Sequence, residues 1–561
     1  MTDLAPEARE ALDGLAGDYW AWRTLEQPRT DDDIPRVERV PGWRPDWSAE
    51  AVTRYRVAVE GFETRWADLP LPGAATDDPD IRTYVVDHAL VGSAIARARF
   101  ELDVNNLWQT DPAFYIDQTI GVVFDLLRPE GPFDTARTGE VIGALRNVAV
   151  ILDEGRANLV GHARTELAGL AVETLTSAGG RPGGVREAVT DAIGALAGVV
   201  PGELRDDLVA AGAGAAEALE AYRTWIEHDL ATTPWEPIGP GEFERFLREI
   251  ALNPATPAEL QLTGRLELER AEAFSVIESR GHRLSSGRTD PRDPLPTEVA
   301  AVCERQHVQE AQLRRFYEER GLLSQPASLR HYLLKPMPAW IEPLQWLGVT
   351  DDLAWEKASS QEALSWQPPL DAPLGFFDDA ISRDPMTGLI HEGAHSQQIA
   401  LSAAHPDEIR RHYYDSGANE GIAYYNEEML ARAGLFDDNP NSAETIHAFL
   451  RLRSLRVAID IRLALGEISI DQAARELAER VPMDEATAQW EASFFAKTPG
   501  QGMTYQVGKS QILRLLGEAA RRPGFELQDF HDRLWLNGNV PIALQRYELL
   551  GAVDELDRIR L

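Results

Sequence analysis

His391-Glu392-Gly393-Ala394-His395 is the stretch of this chain with a definite chemistry attached to it. Residues four apart on an α-helix share one face, about 6 Å apart along the axis, so two imidazoles so spaced can hold one zinc ion. Glu392, one step round, then faces a metal-bound water as a general base. Asp384-Pro385 is a plausible helix start and Pro406 a plausible stop, which predicts that both histidines lie mid-helix. Gly393 and Ala394 between them keep bulk away from the proposed metal.

A hydrolytic zinc takes three protein ligands and leaves a fourth position open. Glu420, in Asn419-Glu420-Gly-Ile-Ala-Tyr-Tyr425-Asn-Glu427-Glu428, is the candidate third ligand, because the chain from 396 to 418 is long enough to return an antiparallel helix beside the first. Glu427 lies two turns beyond it. Glu427 or Asn419 is expected to orient a ligand by accepting an imidazole N–H. The competing reading of the same residues is plain: two polar helix histidines and an acid near a helix start.

The elements that must position these groups are helical. Periodic apolar residues predict helices over 7–25, from a Ser48 cap onward, over 81–101, and from Asp111-Pro112. Residues 133–230 read as three or four amphipathic helices broken at Gly179–Gly184 and Val200–Gly202. Further helices are predicted over 242–251, from Thr256-Pro257 to about Arg280, and over 295–320. From Ser324 to Pro385, prolines punctuate short apolar runs such as His331-Tyr-Leu-Leu, which suits short strands or loops lining a cleft. The expected fold is mostly α with a small irregular or β portion, arranged as two lobes about a deep central cleft. The expected division is an N-terminal helical lobe over 1–323 and a catalytic helical region over 324–561, forming one continuous unit.

The charge balance narrows the partners. Lys plus Arg number 55 against 91 Asp plus Glu, a net charge of −36, which repels phosphate backbones and anionic lipid. Nucleic acid and membrane partners are therefore not expected. Cys303 is the single cysteine, so no intrachain disulfide forms. The first residues show no basic segment followed by an apolar one, and no run approaches 18 apolar residues. These observations lead to an expectation of a cytoplasmic protein. No Gly-rich phosphate loop of the G-x-x-x-x-G-K-[ST] type and no G-x-S-x-G elbow competes with the histidine motif.

Most of the chain resembles the DUF885 family, a gluzincin-like group similar at a distance to helical zinc oligopeptidases and carboxypeptidases. The likeness is carried by Trp108-Gln-Thr-Asp111-Pro112-Ala-Phe-Tyr115, by Ile238-Gly-Pro-Gly-Glu242-Phe, and by Glu420-Gly-Ile-Ala-Tyr-Tyr-Asn-Glu-Glu428. Thr498-Pro-Gly-Gln501-Gly-Met-Thr-Tyr505-Gln-Val-Gly508-Lys509 and Phe530-His531-Asp532 continue it. One departure stands out: where the family reads HEAxPGHHxQ, this chain lacks Pro-Gly and keeps the compact spacing of ordinary zincins. The departure bears on cleft shape and substrate rather than on metal binding.

The resemblance implies one zinc ion on His391, His395 and Glu420, with Glu392 as general base. It also implies an oxyanion donor from a C-terminal helix, for which Tyr505 is the first choice and His531 the second. Arg546, Gln398 and Lys509 are the candidate substrate-binding residues. Against these roles, Tyr505 could be a buried tyrosine bonded to a carbonyl, His531 a core histidine, Arg546 a structural cation and Trp108 packing. The implied activity is hydrolysis of a peptide or amide bond in a small peptide or an amide-containing small molecule. A metal-dependent tailoring enzyme for a small metabolite is the alternative, and a metal-free helical binding protein is the third reading.

Overall fold

The computed structural model describes residues 6–29, 39–286, 293–353, 362–370, 374–437, 439–481 and 483–561. Pro373, one of the prolines of the irregular stretch, lies outside them. Among the described residues the fold is helical with one two-stranded sheet. No helix among them is long and apolar enough to cross a membrane.

Local capping explains where the helices begin. Ser48 accepts from the Ala51 N–H ahead of helix Ala49–Ala67, and Asp111 accepts from Ala113 with Pro112 at the first helical position. Thr256 and Glu259 cap each other reciprocally, the Thr256 N–H donating to Glu259 at 2.7 Å and the Glu259 N–H to Thr256 Oγ1 at 3.3 Å. The helix they start runs to Ser286. The 133–230 region resolves into four helices: Thr135–Leu159, Thr165–Ser177, Gly184–Leu196 and Arg205–His228. The 242–251 segment is Gly239–Arg245 followed by a widened π turn, Phe246–Ile250.

The irregular stretch supplies the sheet. Strands β1 (Tyr332–Pro336) and β2 (Ala363–Gln367) pair in parallel, with Tyr332 opposite Ala363 and Pro336 opposite Gln367. A parallel pair requires a crossover, and the chain between the strands carries a short 3₁₀ turn, Glu342–Leu347. The other edge of β1 is closed by side chains of helix Val299–Glu319. Buried Gln306 donates to the Tyr332 carbonyl at 2.9 Å and accepts from the Leu334 N–H at 3.1 Å, acting as a strand would.

The largest apolar core gathers the helices between Ala8 and Ile226, and it also takes in Ile341, Trp366, Tyr413 and Leu544 from the later chain. A buried ionic tie reinforces this return. Arg410 donates to Asp87 at 3.0 Å and to Glu548 at 2.7 Å, while Arg9 donates to the other oxygen of Asp87 at 2.5 Å. Beginning, middle and end of the chain meet at that tie.

Two helices that matter for the site cross in close contact: Ser416–Arg432 and Thr504–Ala519. A Cβ placed on Gly508 would fall 2.0 Å from the carbonyl oxygen of Gly417, so only glycine permits this approach.

A buried His-His-Glu cluster and the cavity beside it

The His391 motif does not lie mid-helix. A short helix, Met386–Leu389, ends in a turn, and a new helix starts at Glu392 with His391 as its N-terminal cap residue. The cause is a side chain 36 residues away in sequence: buried Asn426 donates to the Ile390 carbonyl at 2.8 Å, and Tyr317 donates its hydroxyl to Asn426 at 2.8 Å. With the Ile390 carbonyl taken, the N–H groups of Ala394 and His395 turn to the His391 carbonyl, at 2.9 and 3.1 Å. The i, i+4 relation between the histidines survives because that carbonyl already belongs to the helix. Nor is Gly393 required for lack of bulk, since a Cβ there would find its nearest neighbours at 3.8 Å in Leu389 and 4.0 Å in Tyr332.

Helix Ser416–Arg432 brings Glu420 against both imidazoles. Its Oε2 lies 3.3 Å from His391 Nε2 and 3.4 Å from His395 Nε2, and the three side chains are almost wholly buried. Oε2 forms no hydrogen bond of normal geometry despite this proximity. Ligands bound at about 2.0–2.1 Å around a tetrahedral zinc are roughly 3.3 Å apart. The two Glu420–imidazole separations match that spacing, and the ligating atoms of all three residues lie within 4.8 Å of one another, so the three could hold one cation. The donor set, two imidazoles and one carboxylate, is of a kind that suits zinc.

The electrostatics follow from the crowding. Burial alone would raise the Glu420 carboxyl, but the imidazoles of His395 and His391 outweigh it and hold it well below the usual carboxylate range. Burial and the Arg453 charge would lower His391, yet the neighbouring Glu420 and Glu427 leave it raised. Glu427, fully buried, lies 2.7 Å from His391 Nδ1 and receives Arg453 Nη1 at 2.9 Å. It thus occupies the position of an orienting carboxylate behind the imidazole. Asn419 faces a different partner: its amide donates to Gln398, which in turn donates to Asn539 at 3.3 Å. Asn419 and Gln398 form a buried amide pair beside the cluster rather than a contact to an imidazole.

Glu392 opens its helix and is less buried than the three clustered residues, with Tyr332 of β1 near enough to feel its charge. Tyr505 stacks on His391, ring centroids 5.9 Å apart and planes 15° from parallel. The guanidinium of Arg456 lies 4.7 Å from the Tyr505 ring centre and is itself fixed by Glu491, Nε to Oε2 at 2.8 Å. Helix Pro440–Leu465 thus supports both His391, through Arg453 and Glu427, and the Tyr505 ring, through Arg456.

Three sequence candidates are held elsewhere. Both ring nitrogens of His531 are engaged, Nε2 with the Tyr425 hydroxyl at 2.8 Å and Nδ1 with the Leu322 carbonyl at 2.7 Å. Tyr425, five residues beyond Glu420, points about 140° round its helix from that ligand, so His531 braces the far side. Arg546 is enclosed by Glu518, Asp554 and Glu555. Lys509 donates to Glu428 at 2.9 Å and lies over the Tyr424 ring. Each of these cations is already matched by carboxylates of the protein, which removes the free charge a substrate carboxylate would need.

Arg453, Arg456, Glu491, Asn426 and Tyr332 were not expected at the site. One signal was available: Arg453, Arg456 and Asp460 recur at helical spacing within an apolar stretch, which places charge on a buried face.

A cavity of about 290 Å³ lies beside the cluster, and none of the three metal-ligand candidates lines it. Its wall includes Ser416 and Gly417, one turn before Glu420, and Thr504, the residue before Tyr505. Trp108 and Asp111 reach it from the N-terminal region, and Thr498 to Gln501 from the C-terminal region. Trp108 does pack, with its indole N–H on the Leu102 carbonyl at 2.9 Å, but it also faces this space.

Fold and site together define a helical protein built round a buried His-His-Glu cluster. Residues 42–548 match the DUF885 family, described as a bacterial protein of unknown function, and the chain belongs to that family. Its fold is similar to that of a putative lipoprotein of unknown function from Shewanella oneidensis, at 13% identity and a TM-score of 0.66, covering 97% of this chain and 100% of that one. A second similar structure is a putative lipoprotein from Colwellia psychrerythraea, at 16% identity and a TM-score of 0.67, covering 96% and 98%. No curated protein matches the chain. The expectation of a cytoplasmic protein does not stand beside these two relatives, because lipoproteins are proteins of the cell envelope, and it is withdrawn.

Proposed function

We propose that the protein is a zinc-dependent hydrolase of peptide or amide bonds. The observation that carries this reading is the convergence of His391, His395 and Glu420 within one buried cluster, their ligating atoms all within 4.8 Å of one another. These three residues would hold the ion. Bound there, zinc supplies a Lewis acid that polarises the scissile carbonyl and makes water acidic enough to attack near neutral pH.

The protein's own groups account for the remaining chemistry. Glu392, at the start of its helix, accepts the proton of the attacking water and delivers it to the leaving nitrogen. Glu427 orients the His391 ring, and Arg453, paired with Glu427 at 2.9 Å, holds that carboxylate in place. Tyr505, its ring held between His391 and Arg456, is the candidate hydroxyl donor for the developing oxyanion. The lipoprotein names of the two structural relatives favour a substrate met outside the cytoplasm.

Metal analysis of the purified protein together with chelator-sensitive cleavage of a peptide and N-acyl amino acid library tests the proposal. About one zinc per chain is expected. The Glu392→Gln variant should keep the metal and lose activity by about 10²–10⁴-fold. A metal-free protein, or full activity in Glu392→Gln, would overturn the reading.

A further inference from the structure

The cavity beside the cluster has a composition that suits one kind of ligand. Aromatic rings line it from distant parts of the chain: Trp20, Trp47, Trp108, Phe114, Phe246 and Phe494. Four cations reach it as well, and three are matched by carboxylates. Arg23 pairs with Glu101, Arg29 with Asp117 and Asp125, and Lys497 lies 3.8 Å from Asp111. Arg97 is the exception among the described residues: no carboxylate stands within ion-pair distance of it, and it donates no hydrogen bond. The Arg97 charge is felt by buried Asp415 on the same wall, but that carboxylate is taken up as a helix cap, with Oδ1 on the Ala418 N–H at 3.0 Å. Next to it the hydroxyl of Ser416, 6% exposed and also lining the cavity, has no hydrogen-bond partner.

In a chain with net charge −36, where carboxylates are in surplus, this guanidinium lines an aromatic-walled cavity without a hydrogen-bonded counterion. Guanidinium binds carboxylate through two parallel hydrogen bonds, and aromatic walls add apolar contact without competing for that charge. The position relative to the proposed metal centre is close: Gly417 lies three residues, about 4.5 Å of helix rise, before Glu420.

We infer that this cavity is a recognition site for the carboxylate-bearing, aromatic or bulky apolar side of an amide substrate, with Arg97 binding the carboxylate and Ser416 donating to it. This rests on the hydrolase reading for the word substrate, but binding can be measured without turnover.

Calorimetric titration of the Glu392→Gln protein with benzoylglycyl-phenylalanine and with its C-terminal amide tests it. The acid should bind at least about tenfold tighter than the amide, a difference in keeping with one charge-assisted hydrogen-bonded pair. Arg97→Met should bring the acid down to the affinity of the amide and leave the amide unchanged. Arg97→Lys, which keeps the charge without the fork, should retain part of the preference, and thermal melts of both variants report folding. Equal binding of acid and amide, no binding of either, or a preference that survives Arg97→Met would overturn the inference. Failure of the hydrolase reading would appear separately, as wild-type zinc-loaded protein that binds the acid in an Arg97-dependent way and cleaves neither compound.

Discussion

Gly421 and Gly508 meet back to back where helices Ser416–Arg432 and Thr504–Ala519 cross, and a Cβ on Gly421 would fall 2.6 Å from the Gly508 Cα. The crossing sets the distance between the helix that carries Glu420 and the helix that carries Tyr505. Atoms of a helix backbone cannot yield as a flexible side chain can, so an added methyl must separate the helices. Gly421→Ala is expected to destabilise the fold by roughly 1–3 kcal/mol, the usual cost of overpacking. Gly517→Ala on helix Thr504–Ala519, where nothing lies within 4 Å of the new carbon, should be neutral or stabilising by up to about 1 kcal/mol. Urea denaturation of the two variants beside wild type measures the contrast, and equal behaviour would show that the crossing is not tight.

Glu427 couples the metal-ligand candidate His391 to a buried cation. Its replacement by Gln keeps the shape but removes the charge that favours the His391 Nδ1 proton, and leaves Arg453 short of its counterion. Zinc affinity should fall about 10–100-fold, as for other supporting carboxylates. Competition against a chromophoric chelator gives this number directly. An unchanged affinity would mean that Glu427 serves Arg453 alone.

The helical fold was legible because it rests on local signals. Ser48, Asp111-Pro112 and the Thr256–Glu259 pair act within three residues of themselves, and the apolar periodicity between them is regular. What stayed hidden depends on residues far apart. The helix break before His391 is made by Asn426, and β1 finds its partner across a crossover with Gln306 closing its other edge. The convergence of His391, His395 and Glu420 could be anticipated because few residue types in few spacings can share a cation. Lys509 and Arg546 misled for the opposite reason: a cation in a sequence does not reveal whether Glu428 or Glu518 already neutralises it. Arg97 is the converse case, since the absence of a counterion is visible only in three dimensions.

The pH dependence of zinc binding follows from the two shifted groups. Glu420 is held below its ordinary 4.5, so its interactions stabilise the metal-free fold above that pH and are lost as pH falls through the depressed value. His391 is raised above 6.5, so its contribution is complete below 6.5 and is lost as pH rises through the raised value. The metal-free protein should therefore lose this local stabilisation on the alkaline side. Zinc requires a neutral imidazole, so its affinity should increase over the same interval. Melting curves with and without excess zinc, taken from pH 5.5 to 8.5, should separate progressively as pH rises. At a free zinc concentration of a hundred times Kd the gain is about 2.7 kcal/mol. His395→Ala should abolish the separation at every pH, and curves that coincide for wild type throughout would remove the metal from the reading.

Tyr505 offers the sharpest division between structure and chemistry at the site. Its ring lies against His391 and below the Arg456 guanidinium, so Tyr505→Phe keeps the stacking while deleting one hydroxyl. If that hydroxyl donates to the oxyanion, kcat should fall by about 10²–10³-fold, the usual cost of one such donor, with KM and zinc content nearly unchanged. If Tyr505 only packs, Phe should be close to silent, whereas Tyr505→Ala would disturb His391 and lower zinc affinity. Steady-state kinetics on one cleaved substrate, with metal content measured on the same samples, separates the two. The pattern of a kcat loss in Phe at constant zinc occupancy is the one expected, because Arg456, fixed by Glu491, and His391 hold the ring in place without the hydroxyl.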